Sequence, residues 1–251
     1  YYESDSSEES SSYDAGAAGG QLPPQPCIKT VQQYPVWDPK PYFVNDPAIP
    51  GVPNTTVKVM MLGDGGTGKT SLLVTLHYNI SPLEYIPTAH DNWIADRQYD
   101  SVVYSLGFWD TGGGEDYWRL RPLSYPQTDL FVICFSVVDR NSFYNISSYW
   151  MPELQQHGYD QVPRLIVGTK IDLREDPDTL QRLRDKDWKV VTTVEGEELA
   201  ASLGSDYAET TIMYLDEPTE ALTKTFLNPV LRVIGKGAFP KNKKKGQCCV
   251  M

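Results

Sequence analysis

Gly63-Asp64-Gly65-Gly66-Thr67-Gly68-Lys69-Thr70 is the stretch on which the reading of this chain turns. It follows the apolar run Val57-Lys-Val-Met-Met-Leu62, a short buried strand by pattern, and precedes a helical pattern from Lys69 to Tyr78. The match is to G-x-x-x-x-G-K-[ST], in the strand-to-helix setting the motif requires. Glycines let backbone N–H groups turn inward around phosphate oxygens, and the helix N-terminus adds a favourable field. Lys69 is placed to reach the β- and γ-phosphates, and the Thr70 hydroxyl to ligate Mg²⁺. A flexible glycine turn is the plain alternative. Alone, the motif specifies no more than a nucleoside triphosphate.

Outward from that loop, strand patterns recur at Val102–Trp109, Leu130–Val138, Leu165–Gly168 and Tyr207–Thr210. Helical stretches near Arg140–Gln155, Val194–Leu203 and Thr219–Ile234 separate them. Strands alternating with helices predict an α/β sheet covered on both faces. Residues 1–20 are Ser, acid, Gly and Ala with a few Tyr, a composition that buries no core and predicts disorder. Residues 21–53 hold nine prolines and read as extended. Within them Pro23-Pro24-Gln25-Pro26 fits a minimal P-x-x-P motif for an SH3-type partner, with a solvated spacer as the plainer reading. The aromatics Tyr34, Trp37, Tyr42 and Phe43 suggest that part of the segment packs against something. The expected division is an extension over 1–54, one globular domain over 55–235 and a tail over 236–251.

Charge narrows the function classes. The net charge is −11 over 251 residues. Residues 1–54 carry −5, the tail from Arg232 onward +6, and the body between them −12. An acidic body argues against nucleic-acid binding, which needs a basic footprint. Four cysteines (Cys27, Cys134, Cys248, Cys249) make no disulfide framework, so a cytosolic protein is expected. His77 and His157 lack metal-ligand spacing, so no structural metal is implied.

Two further elements follow strands. In Trp109-Asp110-Thr111-Gly112-Gly113, a D-x-x-G element, the Asp holds the Mg²⁺ shell through water and the Gly amide meets the γ-phosphate. In Thr169-Lys170-Ile171-Asp172, a carboxylate can accept both guanine N1–H and the exocyclic amine, a pairing adenine cannot offer. Either alone could be a turn or a surface loop; their order after a phosphate loop makes coincidence unconvincing.

At this point the chain resembles a Rho/Rac-type small GTPase of the Ras superfamily over roughly residues 55–251. The resemblance is carried by Gly63–Leu73, Glu84-Tyr-Ile-Pro-Thr88, Trp109-Asp-Thr111, Glu115-Asp-Tyr117, Arg119–Asp129, Phe131–Val138 and Thr169–Arg174. Asp176–Trp188 is similar to the extra helix that marks Rho proteins. The resemblance implies a P-loop NTPase G-domain fold: a mostly parallel six-stranded sheet, helices on both faces, and that insert helix. It implies GTP/GDP and Mg²⁺ as ligands. The nucleotide set becomes Gly63, Asp64, Gly65, Gly66, Thr67, Gly68, Lys69, Thr70, Ser71, Thr88, Asp110, Gly113, Thr169, Lys170, Asp172, Thr211 and Ile212. Thr70, Thr88 and Asp110 serve the metal. Glu84–Trp93 becomes switch I, with Tyr85, Ala89, His90, Asp91 and Asn92 facing effectors, and Gly113–Tyr125 becomes switch II. Implied partners are effectors, exchange factors, GTPase-activating proteins and a dissociation inhibitor.

Three departures from the family pattern stand out. The water-positioning glutamine of the catalytic set (with Thr88 and Lys69) falls on Gly114, so hydrolysis is expected to be slow; Gly112 replaces the usual alanine. The aromatic that packs against guanine falls on Ser81, so release is expected to be fast unless Tyr78 or Ile80 fills the space. The guanine loop reads Glu209-Thr-Thr-Ile-Met213, bulkier than usual and expected to shift, with a short insertion around Tyr214–Pro218.

The tail ends Lys241-Asn-Lys-Lys-Lys-Gly-Gln-Cys248-Cys249-Val-Met251, a C-a-a-X box behind basic residues. Met at the end favours farnesylation of Cys248. One lipid binds marginally, and the lysines supply the second signal at an anionic leaflet. The expected location is the cytoplasmic face of a membrane, in part cytosolic. A GTP-holding scaffold without turnover and a P-loop metabolic kinase are the competing readings; the kinase explains neither the guanine motif nor the tail.

Overall fold

The computed structural model describes residues 43–44, 55–82, 90–99, 102–114, 117–213 and 218–238. The strands are β1 (Phe43–Val44), β2 (Thr55–Leu62), β3 (His90–Tyr99), β4 (Val102–Thr111), β5 (Leu130–Ser136), β6 (Arg164–Thr169) and β7 (Asp206–Glu209). They form one sheet in the order β1-β3-β4-β2-β5-β6-β7, parallel throughout except for the β3–β4 pair. The six strands from β2 to β7 are the sheet that the resemblance implied. Phe43 and Val44 extend it, pairing in parallel with Ile94 and Ala95 at its outer edge.

β2 lies between β4 and β5, and its inner residues are buried on both faces, as the near-continuous apolar run requires. Its side chains alternate. Val57, Val59 and Met61 enter the core with Leu72, Phe108, Phe226 and Val230. Met60 and Leu62 enter the other with Phe131, Ile133, Trp150 and Ile166.

The helices are α1 (Lys69–Tyr78), α2 (Arg140–Asn145), α3 (Met151–Gln156), α4 (Pro177–Arg184), α5 (Thr193–Ser202), α6 (Pro218–Leu222) and α7 (Asn228–Val233). A π turn, Ile146–Trp150, joins α2 to α3, and another, Thr223–Leu227, joins α6 to α7, so each pair runs on as one helix. Their starts are chemically marked. Asp139 accepts from the N–H groups of Asn141 and Ser142. Asp176 accepts from Thr179 N–H, and Thr192 forms a capping box with Glu195. Among the described residues, no helix is long and apolar enough to cross a membrane.

One strand has no counterpart among the sequence patterns. β3, His-Asp-Asn-Trp-Ile-Ala-Asp-Arg-Gln-Tyr, is mostly polar and alternates poorly, yet all ten of its residues pair with β4. His90, Asp91 and Asn92 therefore stand on a strand, opposite Thr111, Asp110 and Trp109. The extension (apart from Phe43–Val44), Thr88, Tyr85, Ala89, residues 214–217 and the tail with Cys248 lie outside the described residues.

Candidate functional site

Where β2 ends, the chain turns through Gly63–Gly68 into α1. Gly68 is the N-cap, with φ of 94°, a left-handed conformation that side chains resist, and it supplies no capping side chain. The first N–H groups of α1 are thereby left to a ligand. The loop opens on a cleft of about 390 Å³, lined from this side by Gly65, Gly66, Gly68, Lys69, Thr70 and Ser71.

Lys69 is buried, and its ammonium donates to the carbonyls of Gly63 (2.7 Å) and Asp64 (2.9 Å). Burial pulls its pKa below the usual lysine range, against the pull of Asp110. The backbone carbonyls hold this charge at the mouth of an anion site. Asp64 is held in turn: its carboxylate accepts from Asn145 Nδ2 (2.6 Å) and Trp150 Nε1 (2.8 Å). Those two contacts, from the helix that follows β5, have no signal in the sequence motif.

Thr70 donates its hydroxyl to Asp110 Oδ2 at 2.6 Å. Asp110 is fully buried at the end of β4, and among the described residues its other oxygen, Oδ1, has no hydrogen-bond partner. Burial pushes the carboxyl up to about 6, with Thr70 and Lys69 pulling the other way. A buried carboxylate with an orphaned oxygen beside a hydroxyl is a hard-oxygen donor set, and it fits Mg²⁺.

The far end of the cleft is lined by Lys170, Asp172, Leu173 and Thr210–Met213. Thr169 Oγ1 donates to the Thr67 carbonyl (2.6 Å) and Lys170 Nζ to the Gly66 carbonyl (2.7 Å), so this loop is fastened to the phosphate loop. The Thr211 hydroxyl donates to Asp172 Oδ1 and accepts from Met213 N–H at 3.0 Å. Despite its bulk, the Glu209–Met213 segment keeps Thr211 and Ile212 in the same cleft as Asp172.

Ser81 does not line the cleft; its neighbour Pro82 does. Tyr78 is 40% exposed and Ile80 39%, and neither lines the cleft, so neither takes the missing aromatic's place. Tyr78 meets His77 and Trp93 edge-on instead.

Gly113 lies flat on the phosphate loop. A Cβ added there would stand 2.3 Å from the Gly63 carbonyl oxygen, so only glycine allows this approach. Gly114, beside it, is exposed, and among the described residues a Cβ added there meets only the Tyr117 ring, at 3.9 Å. Arg121 anchors this segment, donating through Nη1 to the Gly112 carbonyl at 3.1 Å.

Gly65, Gly66, Gly68–Ser71, Gly113, Thr169, Lys170, Asp172, Thr211 and Ile212 thus line one cleft, and Gly63, Asp64, Thr67 and Asp110 are bonded to residues of its wall. A family model described as the Ras family matches residues 58–227, a span that contains every one of these residues.

Proposed function

The chain belongs to the Ras family, a family of GTP-binding molecular switches, and from that premise we propose that it is a Rho-type switch with slow hydrolysis and rapid exchange. Lys69 and the amides that open α1 take the phosphates, Thr70 and Asp110 hold Mg²⁺, and Asp172 reads the guanine edge. The metal, when bound, neutralises charge on the β- and γ-phosphates. Thr88 closes switch I on the nucleotide, and Tyr85, Ala89, His90, Asp91 and Asn92 meet effectors.

The observation that carries the slow clock is Gly114: an exposed bend residue beside the phosphate end, with no side chain to orient an attacking water. Support for rapid exchange is the cleft wall, where among the described residues Pro82 stands without an aromatic beside it. Support for the Rho type is α4, a helix that lies within Asp176–Trp188. GTP, the more abundant guanine nucleotide in cells, then keeps the switch mostly on by mass action. Exchange factors, GTPase-activating proteins and a dissociation inhibitor are the regulators this reading calls for, and the Pro-rich extension offers an SH3-type ligand.

Attachment to an anionic membrane is assigned to farnesylated Cys248 with the lysines of 241–245. A Cys248→Ser chain should appear in the soluble fraction; unchanged fractionation with membranes refutes the anchor. For the switch itself, the test is single-turnover phosphate release from GTP-loaded protein together with release of bound nucleotide. Slow hydrolysis with fast release supports the proposal. Absent hydrolysis with slow release selects the second reading, a scaffold that holds GTP, which the tie from Ser81, after α1, to Ile212 favours.

A further inference from the structure

The turn that leaves α1 is fastened at two points, to Ile212 on the Asp172 side of the cleft and to Thr219 in α6. The Ser81 hydroxyl donates to the Ile212 carbonyl, joining residues 131 apart in the chain. Two residues earlier, Asn79 adopts a left-handed backbone (φ 56°) that closes α1 on the Thr75 carbonyl. Its side-chain Oδ1 accepts from Thr219 N–H at 2.9 Å. The two bonds tie Ile212 and Thr219 to the same turn.

What lies behind Ile212 gives the Ser81 bond its meaning. Ile212 packs against the core, and the adjacent Thr211 is the residue whose hydroxyl donates to Asp172. Thr211 Oγ1 also accepts from Met213 N–H, so one peptide, Ile212–Met213, is held at both its polar atoms, the N–H by Thr211 and the carbonyl by Ser81. A continuous run of contacts leads from Ser81 through Ile212 and Thr211 to the carboxylate at the base end. Ser81 itself does not line the cleft.

We propose that Ser81 is a positioning residue for guanine recognition: its hydroxyl fixes the Ile212 carbonyl and so keeps Thr211 and Asp172 in register with the base. The inference rests on the guanine-switch reading and deepens it. A small hydroxyl side chain replaces stacking on the base with a clamp on the loop that reads it. The role needs a donor at this position. Alanine removes it and leaves the half-buried Ile212 carbonyl short of a partner, whereas threonine keeps it.

The experiment uses the full chain with Mg²⁺, loaded with fluorescent mant-GDP and, in parallel, mant-IDP, each chased with excess unlabelled GDP. Inosine lacks the exocyclic amine that Asp172 accepts from, so a defect in placing Asp172 costs it less. Ser81→Ala should release mant-GDP about three- to tenfold faster, the worth of one hydrogen bond. Its acceleration of mant-IDP release should be smaller, and Ser81→Thr should stay within about twofold of the parent for both. Three results overturn the proposal: Ser81→Ala at the parent rate, Ser81→Thr as fast as Ser81→Ala, or equal acceleration for both nucleotides, which marks general loosening. A parent chain that fails to retain mant-GDP at all overturns the guanine-switch reading itself, a result distinct from any of these.

Discussion

The guanidinium of Arg121 and the carboxylate of Glu153 meet in a two-pronged pair, Nε to Oε1 at 3.0 Å and Nη2 to Oε2 at 2.7 Å. The two side chains are 1% and 11% exposed, and the guanidinium also lies over the Trp150 ring. Burial works against both charges, yet the pairing wins: the Arg121 pKa is raised and that of Glu153 lowered. Through the Gly112 carbonyl, the pair fastens the end of the β4 segment to α3.

Breaking this pair from one side strands a buried charge, which costs about 3–5 kcal/mol. Glu153→Gln should therefore lower Tm by on the order of 10 °C in a domain of this size. Replacing both partners with apolar residues, Arg121→Met with Glu153→Leu, should cost clearly less. Thermal unfolding of the GDP-bound forms decides this, and a double variant no better than the single one refutes the stranded-charge argument.

If hydrolysis is as slow as proposed, Gly114 is the position where a side chain should speed it. Among the described residues a Cβ there meets only the Tyr117 ring, at 3.9 Å, so the Gln side chain of Gly114→Gln starts clear of any described backbone. Phosphate release in a single turnover should become on the order of tenfold to a hundredfold faster, the scale on which positioning of a reactant matters. An unchanged rate shows that another residue already orients the water, or that the phosphate end is not competent.

At the neighbouring position the steric argument reverses. Gly113→Ala places a methyl group 2.3 Å from the Gly63 oxygen and 2.4 Å from the Asp64 carbonyl carbon, backbone atoms that cannot step aside. Switch II must leave the phosphate loop. In the parent protein, GTP should protect Arg119 from trypsin better than GDP does. The alanine variant should bind both nucleotides and give the same cleavage rate with each; a preserved difference shows that switch II tolerates the methyl group.

These residues differ in how far the chain alone exposes them. Gly63–Thr70 is legible because a backbone wrapped around phosphates must spell its demand locally, in glycines, a lysine and a hydroxyl between strand and helix. The buried strands are legible for the same reason, and β3 is not, since a polar strand near the sheet edge has no apolar period to show. The supports are invisible for a different reason. Asn145 and Trp150 reach Asp64 across 81 and 86 residues, Arg121 reaches Glu153 across 32, and Ser81 reaches Ile212 across 131. Such pairings exist only after the sheet has brought distant segments together. The resemblance located Ser81 as a lost aromatic, but a hydroxyl turned to a backbone carbonyl is a tertiary fact.

Thr211 is the donor that orients Asp172, and hydrogen bonds to charged groups are worth about 1.5–3 kcal/mol. Thr211→Val keeps the shape and removes the donor. GDP affinity should fall about 10- to 150-fold, with the preference for GDP over ADP narrowing as the carboxylate loses its aim. Competition titrations against mant-GDP measure both, and an unaltered GDP-to-ADP ratio refutes the orienting role.

Asp110 makes the metal dependence sensitive to pH in a direction that can be worked out. Its carboxyl, buried at the end of β4, has a pKa of about 6, against 3.8 when exposed in an unfolded chain. A carboxyl with a raised folded pKa favours the folded state in its protonated form. That contribution is complete below about pH 4 and is lost as pH rises through 6, reaching about 3 kcal/mol at neutral pH. Mg²⁺ held near this carboxylate would offset the same loss, because the cation would replace the proton as the partner of the buried charge. The GDP-bound protein should therefore show a wide gap in Tm between Mg²⁺ and EDTA at pH 7.5, and a narrower one at pH 5.5. Asp110→Asn, which carries no charge to compensate, should show a small gap at both values. A gap as wide at pH 5.5 as at pH 7.5 assigns the metal's hold to the phosphates alone and removes Asp110 from its coordination shell.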